Sequence, residues 1–291
     1  MTEAPSTEAV AVNLGVTAAA VALLMVLALA AAVWLRGGRH DGIDPVWGIG
    51  FTLVAVTTAV LSAGSGDGWR RWLVTALTAV WGCRLAWHIY RRNRGRPEDP
   101  RYVELLAKAP GNPTWYAARM VYLLQGALIW LVSLPVQLAQ YGRGDTLFGG
   151  TELATWLGVA CWLVGFGFEA VGDAQLARFR ADPANTGTVM DRGLWRYTRH
   201  PNYFGDACVW WGLTLLGLHH RAGLVGLLSA TVMTLLLTRG SGARLLESTI
   251  GARRPGYADY VARTSGFLPR RPRPPRPSRP PRPPRAPGAG R

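Results

Sequence analysis

The chain reads as an all-α, polytopic membrane protein, and three observations carry that reading. Its apolar residues come in blocks of membrane length rather than in amphipathic stripes. Hydrophobic residues fill 49% of 291 positions, thirteen of them tryptophan. The segments between the blocks alternate between rich and poor in arginine, as loops on the two sides of a membrane do.

Seven blocks stand out, at about 10–35, 47–63, 72–90, 115–138, 153–171, 203–218 and 222–238. Several are only just long enough to cross ~30 Å of hydrocarbon at ~1.5 Å per helical residue. The first follows MTEAPSTEA, which has no positive n-region, and it is too long for a signal h-region, so it reads as a retained span. The second opens after the polar run DGIDP, and its Gly48-Ile49-Gly50 lacks dinucleotide-loop spacing. The third runs from Trp72 to Tyr90 and ends in the basic RRNR. Asn112 before Pro113 makes an N-cap and first-turn pair for the fourth. Within it, Gln125 beside Gly126 is either an interhelical hydrogen-bond donor or a ligand contact. The fifth contains GFGFEAVG, again without G-x-G-x-x-G spacing or strand context. Pro201 starts the sixth, since its missing N–H is an orphan in a first helical turn anyway. Arg239 closes the seventh.

Orientation follows from charge. With the N-terminus outside, the inner segments hold Arg91, Arg92, Arg94, Arg96, Arg101, Lys108, Arg178, Arg180, Arg192, Arg196 and Arg199, plus everything after Arg239. The opposite loops hold Arg70, Arg71, Arg143 and Arg221. This asymmetry predicts N-out and C-in. Residues 1–268 form the membrane domain and 269–291 a Pro- and Arg-rich tail, in which proline density forbids helix and predicts disorder.

The net charge of +15 sits largely in that tail, where it faces solvent or anionic inner-leaflet lipid. Basic residues flanking membrane spans, without a recognition module, argue against nucleic acid as a partner. Cys83, Cys161 and Cys208 lie inside apolar blocks without paired spacing, and no H-x-x-x-H pair occurs, so neither disulfides nor a metal is expected.

The unusual polar residues gather at the inner end of the spans. Arg84 and His88 are four apart, as are Glu169 and Asp173; Arg199, Asn202 and Asp206 open the sixth span, and Arg239 and Glu247 follow the seventh. Charged groups at membrane depth are costly unless they pair or face a wet cavity. One inner cavity would satisfy all of them, although Arg84 and His88 can equally snorkel to the headgroups. Helix-start N–H groups behind Pro201, next to Arg192, Arg196 and Arg199, make an anion site.

The stretch RGLWRYTRHPNYFGDACVWW at 192–211 carries a resemblance as well. Its pattern W-x-x-x-R-H-P-N-Y-x-G-D resembles the C-terminal signature of the membrane sterol reductases and the steroid 5-alpha-reductase superfamily. It is most similar to a bacterial branch of that superfamily that carries a related domain of unknown function. The likeness covers 172–268, through RFRADPANTG and RRPGYADYVARTSGFLP, and more weakly most of 40–270. The shorter R-H-P-x-Y also occurs in membrane methyltransferases.

The resemblance implies a multi-pass protein of a bacterial-type inner membrane that reduces a C=C bond of an apolar, sterol- or isoprenoid-like substrate with NADPH. It places Asp173, Arg180, Arg199, His200, Asn202, Asp206, Arg239 and Glu247 at the cofactor, flanked by Tyr197 and Tyr203. Arginine forks suit phosphates. The proton donor such chemistry needs has no matching residue; Glu104, Tyr116, Tyr122 and Glu169 are candidates. The alternatives are a methyltransferase using S-adenosylmethionine and a non-enzymatic membrane protein. Expected partners are an apolar small molecule or lipid substrate and the surrounding lipids.

Overall fold

The structure is a computed structural model and describes residues 7–142, 152–219, 221–239, 247 and 254–274. Among these residues it is helical with no named strand, an all-α membrane protein. Helices α1 (Thr7–Ala30, continued by a π turn to Leu35), α2 (Val46–Leu61), α3 (Gly68–Asn93), a short α4 (Pro100–Ala107), α5 (Pro113–Ala139), α6 (Leu153–Ala181), α7 (Pro201–Gly217), α8 (Gly226–Thr238) and α9 (Tyr257–Arg263) follow in order. The seven apolar blocks correspond to α1, α2, α3, α5, α6, α7 and α8. Helices α1, α5 and α6, and the stretches Asp41–Leu61 and Arg221–Thr238 that contain α2 and α8, are long and apolar enough to cross a membrane. Helix α7 has 17 residues, and α3 carries arginines at both ends.

Helix α6 lies along α7 in the most extensive helix pairing among the described residues, and glycine makes the approach possible. A Cβ on Gly165 would lie 2.5 Å from the Gly205 carbonyl oxygen, and one on Gly205 would lie 2.5 Å from that of Gly165. Backbones at that separation leave no room for a side chain. At the centre of the bundle Phe51 of α2 meets Trp210 of α7 at 4.4 Å between ring centroids and Trp81 of α3 at 5.7 Å, all three fully buried. Helix α5 departs from regular geometry twice, with a π turn at Ala118–Leu123 and a break at Ser133 before Pro135. Buried Gln137 ties α5 to α1 there, accepting from Asn13 (3.1 Å) and Thr17 (2.8 Å).

The loops sort to two ends. At one, Arg70 pairs with Asp67 and, at 2.7 Å, with Glu152. At the other, Glu98 accepts from the backbone N–H of His40 (2.9 Å) and Asp41 (2.8 Å), while Asp44 accepts from Tyr102 (2.6 Å) and Arg101 (3.1 Å). The loop before α2 is thereby tied to the loop between α3 and α5. The expected tail boundary after 268 needs moving: the backbone N–H of Arg270 donates to Tyr197 O (3.0 Å) and that of Arg273 to Arg263 O (2.9 Å). Residues 275–291, the bulk of the expected tail, and Arg143 lie outside the described residues.

Candidate functional site

At the arginine-rich end, Glu169 and Asp173 stand one turn apart on α6 and are both buried. Arg84 of α3 spans them, with Nη1 2.5 Å from Glu169 Oε1 and Nη2 2.5 Å from Asp173 Oδ2. Trp81 Nε1 donates to Glu169 Oε2 at 2.7 Å, and Asn202 Nδ2 to Asp173 Oδ1 at 3.3 Å. His88 Nε2 lies 3.5 Å from Asp173 Oδ2. Arg84 and His88 therefore turn inward rather than snorkel. Asn202 Oδ1 is shielded from solvent and accepts no hydrogen bond among the described residues. Buried oxygens without donors are uncommon and carry a desolvation cost.

Next to this cluster opens a cavity of about 1000 Å³ between α3, α6, the start of α7 and the segment around α9. Nine arginines line it, namely Arg84, Arg91, Arg92, Arg94, Arg96, Arg178, Arg180, Arg199 and Arg254, against a single carboxylate, Asp173. The guanidinium groups of Arg94, Arg96, Arg178 and Arg180 make no hydrogen bond or ion pair among the described residues. Arg180 instead faces the like charges of Arg96, Arg254 and Arg92. Trp87, Trp195, Tyr203, Tyr257 and Tyr260 supply aromatic wall. Such a hollow attracts a multiply charged anion with a planar, apolar portion.

Helix α7 begins as its sequence dictates. Pro201 occupies the first turn, and the N-cap, His200, offers no side-chain cap, so N–H groups at the helix start remain free. The His200 ring stacks on Tyr203 at 5.3 Å, and its Nε2 lies 2.8 Å from Glu247 Oε1. Arg199 reaches Glu247 through Nε (2.8 Å) and Nη2 (3.2 Å) and donates to Thr264 O at 2.7 Å. Burial of Glu247 would raise its pKa, but the hydrogen bonds from His200 and Arg199 outweigh it and hold the carboxyl at about 2. Tyr260 Oη donates to Trp195 O at 2.6 Å, bracing the far wall.

Of the residues read from the sequence, Asp173, Arg180, Arg199, His200, Asn202 and Tyr203 line the cavity. Glu247 anchors Arg199 and His200 from behind. Asp206 lies one turn deeper on α7, within electrostatic reach of Glu169 and Asp173 but off the lining. Tyr197 and Arg239 are exposed and do not line it; Arg239 follows the last turn of α8. Among the four proton-donor candidates, only Glu169 belongs to the cluster, and Arg84 and Trp81 already engage it. Glu104 is exposed on α4, and Tyr116 half-buried on α5. Tyr122 is buried in the π turn, with its Oη 3.0 Å from His40 Nδ1. Burial lowers the pKa of His40, against the opposing pull of Glu98.

Arg91, Arg92, Arg94, Arg96 and Arg178, which mark topology in the sequence, prove to be cavity wall, and Arg254, Trp87 and Tyr257 join them. Their clustering at one end was the available signal. The convergence of three separate loops was not.

A family model described as a protein of unknown function, DUF1295, matches residues 14–264. An uncharacterized protein of Schizosaccharomyces pombe is similar, with 23% identity over 262 residues that cover 82% of this chain and 74% of that protein. No solved structure matches the chain. With the match running from α1 through α9 and containing both the Arg84 cluster and the arginine-lined cavity, the chain belongs to the DUF1295 family.

Proposed function

We propose that this protein is a membrane-embedded, NADPH-dependent reductase of a C=C bond in an apolar, sterol- or isoprenoid-like substrate. We further propose that it crosses a bacterial-type inner membrane seven times, N-out and C-in, so that its cavity opens to the cytosol. The observation that carries the reading is the cavity itself: nine arginines, five aromatic rings and one carboxylate around about 1000 Å³. That volume is at the upper end of small-molecule sites. The resemblance of 192–211 to the steroid 5-alpha-reductase superfamily supports the same assignment.

The residues present suit a phosphorylated dinucleotide. Arg94, Arg96, Arg178 and Arg180 provide guanidinium groups with no internal partner for phosphate oxygens. Asn202 stands at the lining, and a rotation of its amide would present the unsatisfied Oδ1 to an N–H or O–H of the ligand. Arg84 fixes Asp173 in place, and stacked His200 and Tyr203 offer a flat surface. Held there by Arg94, Arg96, Arg178 and Arg180, NADPH would supply the hydride for reduction of the alkene, and the matching proton would come from water at the open mouth of the cavity.

S-adenosylmethionine fits the same wall poorly. Its sulfonium and ammonium outnumber its one carboxylate, and a ring of arginines repels net positive charge. The test is competitive: detergent-purified protein is incubated with equimolar NADPH and S-adenosylmethionine, desalted and analysed by mass spectrometry. Retained NADPH is expected; retained S-adenosylmethionine alone would put methyl transfer in its place.

A further inference from the structure

A second hollow, of about 540 Å³, lies on the opposite side of the segment 189–199 from the large cavity. That segment faces both. Met190, Trp195 and Arg199 look into the large cavity, whereas Asp191, Arg192 and Arg196 look into the small one. Arg263, at the end of α9, and Arg273 complete a set of four arginines around one carboxylate. Arg263 pairs with Asp191 at 2.7 Å, so the internal charge is spoken for once. The guanidinium groups of Arg192, Arg196 and Arg273 meet no acceptor among the described residues, and the hollow keeps an excess charge of about three.

Two further features bear on what could neutralise that charge. The backbone bond from Arg270 N–H to Tyr197 O brings the chain after Leu268 against the segment carrying Arg196. Tyr197 and Leu268, 42% and 51% exposed, stand there as an aromatic and an aliphatic side chain offered to the outside. Tyrosine beside apolar surface and arginine is the pattern of a membrane–water interface. The chain between α6 and α7 is also where two apolar helices leave and re-enter the bundle. A soluble phosphorylated metabolite would use the charge but would gain nothing from Tyr197 and Leu268.

We infer that this hollow binds the phosphate of an anionic phospholipid headgroup, with Arg192, Arg196 and Arg273 on the phosphate and Tyr197 and Leu268 against the start of the acyl chains. The site is distinct from the large cavity and does not depend on which cofactor that cavity holds. It lies just before the Pro- and Arg-rich tail, so lipid bound there would also hold the start of the tail at the membrane.

The experiment compares three full-length proteins in phosphatidylcholine nanodiscs containing a fluorescent phosphatidylglycerol: the wild type, Arg192→Gln/Arg196→Gln/Arg273→Gln, and the charge-matched control Arg276→Gln/Arg279→Gln/Arg282→Gln in the tail. The hollow variant is expected to lose affinity for the anionic lipid by at least about tenfold, because three guanidinium groups converge on one phosphate there. The control is expected to stay within about twofold of wild type. Equal losses in both variants would show only diffuse charge attraction and overturn the site. No loss in the hollow variant would overturn it too. Full displacement of the lipid by millimolar inorganic phosphate would assign the hollow to a soluble phosphate instead. The substituted arginines have no internal partner, and an unchanged thermal transition is expected to confirm that the variant is folded.

Discussion

Arg84 Nη2 lies 2.5 Å from Asp173 Oδ2, and the same guanidinium reaches Glu169 Oε1 at 2.5 Å. One side chain of α3 thus holds two buried carboxylates of α6 at the wall of the arginine-lined cavity. Removing one partner of a buried ion pair strands the other charge, which costs far more than the pair contributes. Arg84→Met is expected to destabilise the protein by ~3–5 kcal/mol, read as a lower thermal transition of the detergent-purified protein. Arg84→Lys, which keeps the charge but loses the fork, should fall between the two.

The cavity wall sorts the arginine and asparagine residues by expected effect. Arg180→Ala and Asn202→Ala should each weaken NADPH binding by about ten- to a hundredfold, the usual loss for a charge-assisted hydrogen bond of ~1.5–3 kcal/mol. Arg239→Ala should bind like wild type, because Arg239 is exposed beyond α8 and away from the lining. Fluorescence titration of the three variants checks the order. A loss in Arg239→Ala equal to that in Arg180→Ala would mean that bulk charge, not the cavity, governs binding.

Glu247 predicts an acid limb of stability. Its pKa in the fold is about 2, below the ordinary 4.5, so the folded state favours the ionised form. The stabilisation is therefore fully present above about pH 4.5 and is lost as the pH falls toward 2. Glu247→Gln should flatten the pH dependence of the thermal transition in that window. An unchanged slope would remove Glu247 from the Arg199–His200 anchor.

The proposed seven spans with N-out and C-in orientation would put Ser65 and Arg94 on opposite sides, separated by α3, whose 26 residues reach ~39 Å at ~1.5 Å per residue. A membrane-impermeant thiol reagent should label a cysteine introduced at Ser65 from outside and one at Arg94 only after permeabilisation. Native Cys83, which is exposed on α3, is replaced by Ser in both proteins. Labelling of both sites from one side contradicts this topology.

Much of the fold was legible because membrane burial writes itself into composition. Seven apolar blocks became seven helices, and Pro201 opened α7 where first-turn geometry placed it. Covalent spacing also fixed the local pairs: Glu169 with Asp173, and Arg84 with His88. What spacing does not encode is which helix faces which. The bridge from Arg84 to α6, the anchoring of Arg199 and His200 by Glu247 across more than forty residues, and the arrival of Arg254 at the wall all depend on helix packing. That packing is set in part by the close approach at Gly165 and Gly205, where what matters is an absent side chain. The π turn around Tyr122 left no recognisable signal either. For the same reason the arginines at 91–96 read as orientation markers alone, although a charged end that sets orientation can also line a cavity.

The central claim is that the arginine-lined cavity is a NADPH site, and calorimetric titration of the detergent-purified wild type with NADPH and, separately, with S-adenosylmethionine tests it most directly. Saturable binding of one NADPH per chain, weakening as salt is raised, with no heat from S-adenosylmethionine, is the predicted result. Binding of S-adenosylmethionine without NADPH, or of neither, would contradict it.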